Sequence, residues 1–260
     1  MSGLPAGIEK HPCFNHDIHH KYGRIHLPVA KKCNINCNYC DRKYHCVNQC
    51  RPGVTAKLMT PSESISFVRE NDTSQNNLTI VGIAGPGEPL YNDETFITFE
   101  LMKEKYPKLI RCVSTNGMLL PQRLDELLNC GVSTITLTLN TLRLDTAMKI
   151  YSGSSKREIE ELLEKQKEGL DAAIDAGMIL KINTVLIPGI NDTEMEEISC
   201  FSKEHKVEIM NIMPLIPQGK FSNLPAPSHG EIIKARVLAG QHIPQFHDCR
   251  RCRADAVGRL

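Results

Sequence analysis

The sequence predicts an α/β fold, an open (β/α)6 partial TIM barrel. Six short apolar or β-branched runs recur along its 260 residues. Amphipathic segments lie between most of them, and Gly or Pro marks the joins. Alternating β and α implies parallel strands with right-handed crossovers, and six units are too few to close an eight-stranded barrel.

The elements follow in order. Residues 24–30 (RIHLPVA) read as the first strand. Thr60 as N-cap, Pro61 at the first helical position and Glu63 at the third form a capping-box pattern that opens a helix. Residues 78–84 (LTIVGIA) are a buried strand, 93–106 a helix, and 109–114 (LIRCVS) a strand. A helix over 121–130 stops at Gly131. Residues 133–139 (STITLTL) form a strand, and a charged helix over 156–176 stops at Gly177. Strands at 178–186 and 207–213 flank a helix at 193–205, and 228–238 is the last helix. The chain reads as one domain, 1–260: an N-terminal extension (1–22), a barrel core (23–215) and a C-terminal extension (216–260). Chemistry in such folds gathers at the C-terminal ends of the strands. The segments 33–40, 85–89, 114–117, Asn140 and 188–191 fall there.

Hydrophobic residues make up 41% and charged residues 23%, the balance of a soluble globular protein. A net charge of +1 gives no electrostatic reason to expect nucleic acid or a membrane surface as partner. No secretory leader and no apolar run of ~20 residues is present, so the cytosol is the expected compartment. Eleven cysteines in a reducing compartment favour metal ligation over disulfides.

Residues 33–40 read Cys-Asn-Ile-Asn-Cys-Asn-Tyr-Cys. Three thiolates this close suit one face of a cubane iron–sulfur cluster with one iron left open, or a zinc site completed by a distant ligand. The spacing resembles the radical SAM superfamily signature C-x3-C-x-aromatic-C, with Tyr39 at the aromatic position. That resemblance implies a radical SAM-type barrel carrying a [4Fe–4S] cluster on Cys33, Cys37 and Cys40, the catalytic centre. The open iron then binds S-adenosylmethionine (SAM), which is cleaved to methionine and a 5′-deoxyadenosyl radical, with Tyr39 near the adenine.

Residues 82–90 (GIAGPGEPL) let backbone approach a ligand closely, or form an ordinary tight turn. They resemble the superfamily's Gly-Gly-Glu-like motif, which makes Gly85, Gly87 and Glu88 candidates for the methionine amino group. Ser114 and Asn116, in Ser-Thr-Asn-Gly, and Asn140 suit the ribose and carboxylate. Val185 and Ile187 resemble the region that packs on adenine, and plain core is the alternative.

Cys249 and Cys252 form C-x2-C, a spacing that attracts iron or zinc, and the neighbours Arg250, Arg251 and Arg253 favour thiolate. With His11, Cys13, Cys46 and Cys112 they make six candidate ligands, enough for two further clusters of three ligands each. Cys112 is expected near the C-terminal end of its strand, facing the barrel mouth. Cys50 reads as incidental, Cys130 and Cys200 as small buried hydrophobes, and His19 and His20 as solvated.

The segments His-Pro-Cys-Phe, Gly-Arg-Ile-His-Leu-Pro-Val-Ala, the cysteine loop with Asp-Arg-Lys-Tyr, Arg-Pro-Gly-Val, residues 82–90 and the terminal Cys-Arg-Arg-Cys-Arg-Ala-Asp-Ala-Val-Gly together resemble the NifB family of nitrogenase-cofactor maturases. The similarity runs from about residue 11 to 258. It implies fusion of two [4Fe–4S] clusters, K1 and K2, with a SAM-derived carbon and an added sulfur into an [8Fe–9S–C] core. His11, Cys46 and Cys112 would hold K1; Cys13, Cys249 and Cys252 would hold K2. It also implies a NifEN-type scaffold as acceptor, Fe–S donor proteins, and an electron donor such as ferredoxin. The chain looks like the short archaeal form that lacks a NifX-like domain.

Overall fold

The structure, a computed structural model, describes residues 8–41, 49, 51–249 and 252–260. Cys46, Cys50, Arg250 and Arg251 lie outside the described residues. Six parallel strands run in sequence order: β1 (Gly23–His26), β2 (Leu78–Ile83), β3 (Ile110–Thr115), β4 (Val132–Thr138), β5 (Ile179–Leu186) and β6 (Ile209–Pro214). The sheet curls into a partial barrel. A two-residue strand, β7 (Val257–Gly258), pairs antiparallel with β1 and makes the order β6-β5-β4-β3-β2-β1-β7. The helices are α1 (Pro61–Asn71), α2 (Asp93–Lys105), α3 (Leu120–Asn129), α4 (Leu144–Ile150), α5 (Lys156–Asp175), α6 (Met195–Glu204) and α7 (His229–Gly240).

The sequence signals act where expected. Thr60 and Glu63 form the capping box of α1. Gly131 and Gly177 adopt positive φ just beyond α3 and α5. Ser155–Glu158 and Ser228–Glu231 form two further capping boxes. The first strand is shorter than the expected 24–30. Leu27 still donates to the Gly82 carbonyl at 2.9 Å, but Pro28 has no N–H with which to continue the ladder. Helix α4 and strand β7 are additions to the expected set.

Period-2 alternation divides the sheet into two unlike faces. Ile25, Val81, Val113, Ile135, Leu180 and Ile182 point to the helices and join the main core with Phe99, Leu120 and Leu170. Burying each such side chain contributes about 1.5–3 kcal/mol. The other face carries Arg24, His26, Cys112, Thr134, Thr136, Lys181, Asn183 and Asn211, with Ile80, Ile179 and Ile209 among them where the strands begin. Polar side chains and a thiol therefore face the lumen above an apolar base.

Both chain extensions close the end of this lumen where the strands begin. Ile8, Cys13 and Phe14 pack with Ile209 and Phe246, and Ile179 and Cys249 lie against them. The C-terminal segment leaves the β6 edge, where Phe246 N donates to the Met210 carbonyl at 2.8 Å. It arrives at the β1 edge as β7. It thus straps one sheet edge to the other and carries Cys249 and Cys252 with it. Among the described residues no helix is long and apolar enough to cross a membrane.

Candidate functional site

The cysteine loop sits above the C-terminal ends of β1 and β2. Its base is joined to the glycine-rich loop backbone to backbone. Gly87 N donates to the Ala30 carbonyl at 2.7 Å and Glu88 N to the Lys32 carbonyl at 2.9 Å. A Cβ at Gly87 would lie 2.2 Å from that Lys32 oxygen, so the position admits only glycine. Asn92 locks the joint: its Oδ1 accepts from Lys31 N and Lys32 N, and its Nδ2 donates to the Lys32 and Glu88 carbonyls. Asn92→Ala would leave four backbone groups without these partners. At about 1–3 kcal/mol for each group left unsatisfied, and with water reaching some of them, the expected loss is about 3 kcal/mol or more. Chemical denaturation of the two proteins side by side checks this.

The far side of the loop is held by the end of α4 and by the turn at 218–221. Asn38 N donates to the Ile150 carbonyl at 2.8 Å, Ser152 N to the Asn36 carbonyl at 2.9 Å, and Gln218 Nε2 to the Tyr39 carbonyl at 3.0 Å. Ile35 is buried among Ile150, Val185 and Ile187, and Cys33, Cys37 and Tyr39 pack on the same cluster. Burial pushes the Cys37 thiol up, against the hydrogen bond from Tyr39; a bound metal would favour its thiolate. The residues fit the expected cluster. Three thiols lie on one loop, and Asn34 Nδ2, between two of them in sequence, is buried without a hydrogen-bond partner among the described residues.

Around this loop runs a ring of amides. Asn140 Nδ2 donates to the hydroxyls of Tyr39 (2.9 Å) and Tyr151 (3.3 Å), and its Oδ1 accepts from Val185 N. Asn191 ties the Asn140 and Val185 carbonyls together and accepts from Ile187 N. Asn116 Nδ2 reaches Asn34 Oδ1 at 2.7 Å. Gln166 on α5 holds the Asn116 and Thr138 carbonyls. Ser114, on β3, is half-buried.

Glu88 is buried, and its carboxylate accepts from Thr115 Oγ1 (2.5 Å), Asn116 N (2.7 Å) and Leu90 N (3.0 Å). It ties the end of β3 to the glycine-rich loop and keeps lone-pair capacity for a further donor. Burial outweighs these hydrogen bonds and pushes its pKa up from 4.5 to about 7. The folded state then binds more protons than the unfolded one across that window, so this group's contribution to stability falls as pH rises through it. An infrared titration following the carbonyl stretch of a buried protonated carboxyl is expected to show a midpoint near 7 that Glu88→Gln removes.

The second group of donors lies deeper, on the concave face and the plug beneath it. Cys112 is the third residue of β3 rather than near its end, and it hydrogen bonds to Thr134 and Thr136. It points inward as the alternation requires, but about two residues below the mouth. Cys252 Sγ lies 3.5 Å from Arg24 Nη2 and 3.5 Å from His26 Nδ1. Burial disfavours its thiolate, yet His26 and Arg24 outweigh burial and bring its pKa down to about 6. Arg253 pairs with Asp255 at 2.6 Å. Cys13 is pushed up to about 12 by burial; among neighbouring thiols Cys249 acts on it most, then Cys252, then Cys112.

His11 is fully buried, and burial followed by the charge of Lys181 holds its pKa well below the usual value. Its Nδ1 accepts from Cys13 N at 3.2 Å, and Nε2 faces Thr134 Oγ1 at 3.4 Å. Ligation through either nitrogen requires one of these contacts to be released. Lys181 stands beneath: its Nζ donates to the Cys13 carbonyl at 3.2 Å and lies over the rings of Phe14 (5.4 Å) and Phe246 (5.2 Å).

The described structure therefore gathers Cys33, Cys37, Cys40, Tyr39, Gly85, Gly87, Glu88, Asn116 and Asn140 at the mouth. It gathers His11, Cys13, Cys112, Cys249 and Cys252 below; Cys46 falls outside the described residues. Val185 and Ile187 are buried in the cluster under the cysteine loop. Cys130 is core and Cys200 half-buried. Sequence reasoning passed over Arg24, His26 and Lys181, although a lone lysine inside the apolar run 178–186 and the alternation Arg-Ile-His were legible signals.

The model of the Radical SAM superfamily matches residues 27–199. The FeMo cofactor biosynthesis protein NifB of Methanocaldococcus infernus is 44% identical over 270 residues, covering 100% of this chain and 89% of that protein. The NifB of Klebsiella pneumoniae is 42% identical and is matched over 57% of its length by 96% of this chain. Among solved structures, Streptococcus suis SuiB bound to S-adenosylmethionine aligns with a TM-score of 0.64 at 14% identity, over 86% of this chain and 50% of that one. The FeFe-hydrogenase maturase HydG from Carboxydothermus hydrogenoformans aligns at 0.60 and 14%, over 86% and 52%. Both show the fold.

Proposed function

Because the chain belongs to the NifB family of radical SAM enzymes, we propose that it fuses two [4Fe–4S] substrate clusters with a SAM-derived carbon and an added sulfur into an [8Fe–9S–C] precursor of the nitrogenase cofactor. The observation that carries this reading is the second set of donors, His11, Cys13, Cys112, Cys249 and Cys252, collected in the same lumen below the cysteine loop.

Cys33, Cys37 and Cys40 would hold the resident cluster, which with SAM supplies methyl transfer and hydrogen abstraction. Gly85, Gly87 and Glu88 would receive the methionine end, Ser114, Asn116 and Asn140 the ribose and carboxylate, and Tyr39, Val185 and Ile187 the adenine. The amide ring keeps these groups in place before anything binds, which is where positional catalysis draws its advantage. Substrate K2 would sit on Cys13, Cys249 and Cys252, a grouping supported by the close influence of Cys249 and Cys252 on Cys13. Substrate K1 would sit on His11, Cys46 and Cys112. Arg24, His26 and Lys181 offset the negative charge that thiolate-bound clusters bring into a buried site. The product would pass to a NifEN-type scaffold, with Fe–S donor proteins and a ferredoxin-like electron donor supplying the reaction.

The test is anaerobic. Reconstituted protein receives reductant and methyl-labelled SAM. S-Adenosylhomocysteine and 5′-deoxyadenosine together, with label retained in the extracted iron–sulfur product, are expected. Deoxyadenosine without retained label would assign the protein a different substrate.

A further inference from the structure

We propose that His16, His19 and Asp248 bind a divalent transition-metal ion that latches the C-terminal strap to the N-terminal extension. His16 and His19 lie three residues apart at a short 3-10 turn, His16–Ile18, where positions i and i+3 eclipse. Their rings stack with centroids 4.9 Å apart. Asp248 comes from the strap, immediately before Cys249. Its Oδ2 lies 2.5 Å from His16 Nδ1 and 4.0 Å from His19 Nδ1, and one donor atom from each residue lies within 4.8 Å of the other two.

A metal held at about 2.0–2.2 Å from N and O donors in tetrahedral geometry needs those donors about 3.4 Å apart, a spacing the two observed distances bracket. His19 Nδ1 also contacts the His16 carbonyl oxygen, so a metal on that nitrogen takes the place of this contact and of the His16–Asp248 hydrogen bond. Two imidazoles and one carboxylate with a solvent-open side suit Fe2+ or Zn2+ rather than the oxygen-seeking Mg2+ or Ca2+. His16 faces solvent, leaving room for water ligands. The strap brings Cys249 and Cys252 to the lumen, so an ion at this point would fix their approach from outside it.

The experiment uses the cluster-loaded protein, anaerobically, so that the cysteines are already occupied. It is dialysed against Co2+; bound cobalt and iron are counted, and X-ray absorption at the cobalt edge reads the donor atoms. About one cobalt per chain, with only N and O neighbours and unchanged iron, is expected. Asp248→Ala and His16→Gln should each weaken binding at least tenfold, and His20→Gln should leave it unchanged. Hydrogen exchange over 244–249 should slow on adding Co2+ to the wild type. Circular dichroism checks the fold of the variants, and His16→Gln, altered at an exposed ring, carries the test if Asp248→Ala fails to fold. Absence of bound cobalt, sulfur among its neighbours, wild-type binding by a folded variant, or exchange that does not respond would overturn the proposal. None of these readouts depends on SAM cleavage, so the proposed function stands or falls separately.

Discussion

Gly87→Ala is expected to strip the resident cluster from an otherwise folded protein. The added methyl carbon would lie 2.2 Å from the Lys32 carbonyl oxygen and 2.8 Å from its carbon. Both are backbone atoms, and neither can turn aside as a side-chain tip would. One of the two loops must therefore move, breaking the hydrogen bonds from Gly87 N and Glu88 N. Lys32 directly precedes Cys33, so the displacement falls on the first of the three thiols. A misplacement of about 1 Å in a positioned site costs roughly 100-fold in rate. Iron and sulfide in the resident site should drop to a small fraction, and 5′-deoxyadenosine release should fall by about that factor or more. Gly230→Ala, where an added Cβ meets nothing within 4 Å, is the control. Full iron and unimpaired cleavage in Gly87→Ala would refute the steric argument.

The same joint shows what a sequence can and cannot carry. The cysteine spacing, the glycine stops after α3 and α5, and the capping box at Thr60 are local signals, complete within a few residues, and each has its counterpart in the structure. The barrel itself follows from strand and helix periodicity. Asn92 was not legible, because its partners at Lys31 and Lys32 lie 61 and 60 residues away in sequence. Gln166 and Asn191 escape for the same reason: each satisfies backbone groups that belong to other elements. Strand β7 has two residues, too few for any periodicity. Helix α4 spans about two turns, with no side-chain cap. Gly87 looked like a ligand-binding glycine, and its observed neighbour is the base of the cysteine loop. The motif singles out Gly87 as a candidate for the methionine end, and packing supplies a separate reason for glycine there.

Lys181→Met is expected to separate stability from cluster retention, with opposite signs. Lys181 is 2% exposed, and an ammonium buried to that degree carries a desolvation penalty of several kcal/mol. The hydrogen bond to the Cys13 carbonyl and the faces of Phe14 and Phe246 offset part of it, each ring contributing about 0.5–2 kcal/mol. No carboxylate is described as its partner; its electrostatic neighbours are Cys13, Cys112, Cys249 and His11. A cation so placed stabilises the fold poorly and an anionic guest well. Methionine keeps the length of the stem and removes the charge, so the cluster-free protein should melt no lower than wild type. The proposed substrate clusters should bind more weakly. A unit charge roughly 8 Å away, at an effective dielectric of about 20, supplies about 2 kcal/mol, or roughly 30-fold in affinity. Iron beyond the resident cluster should be lost on gel filtration, while SAM cleavage by the resident cluster persists. If the variant instead melts lower and keeps all its iron, Lys181 is a strut of the plug and not the counter-charge of the lumen.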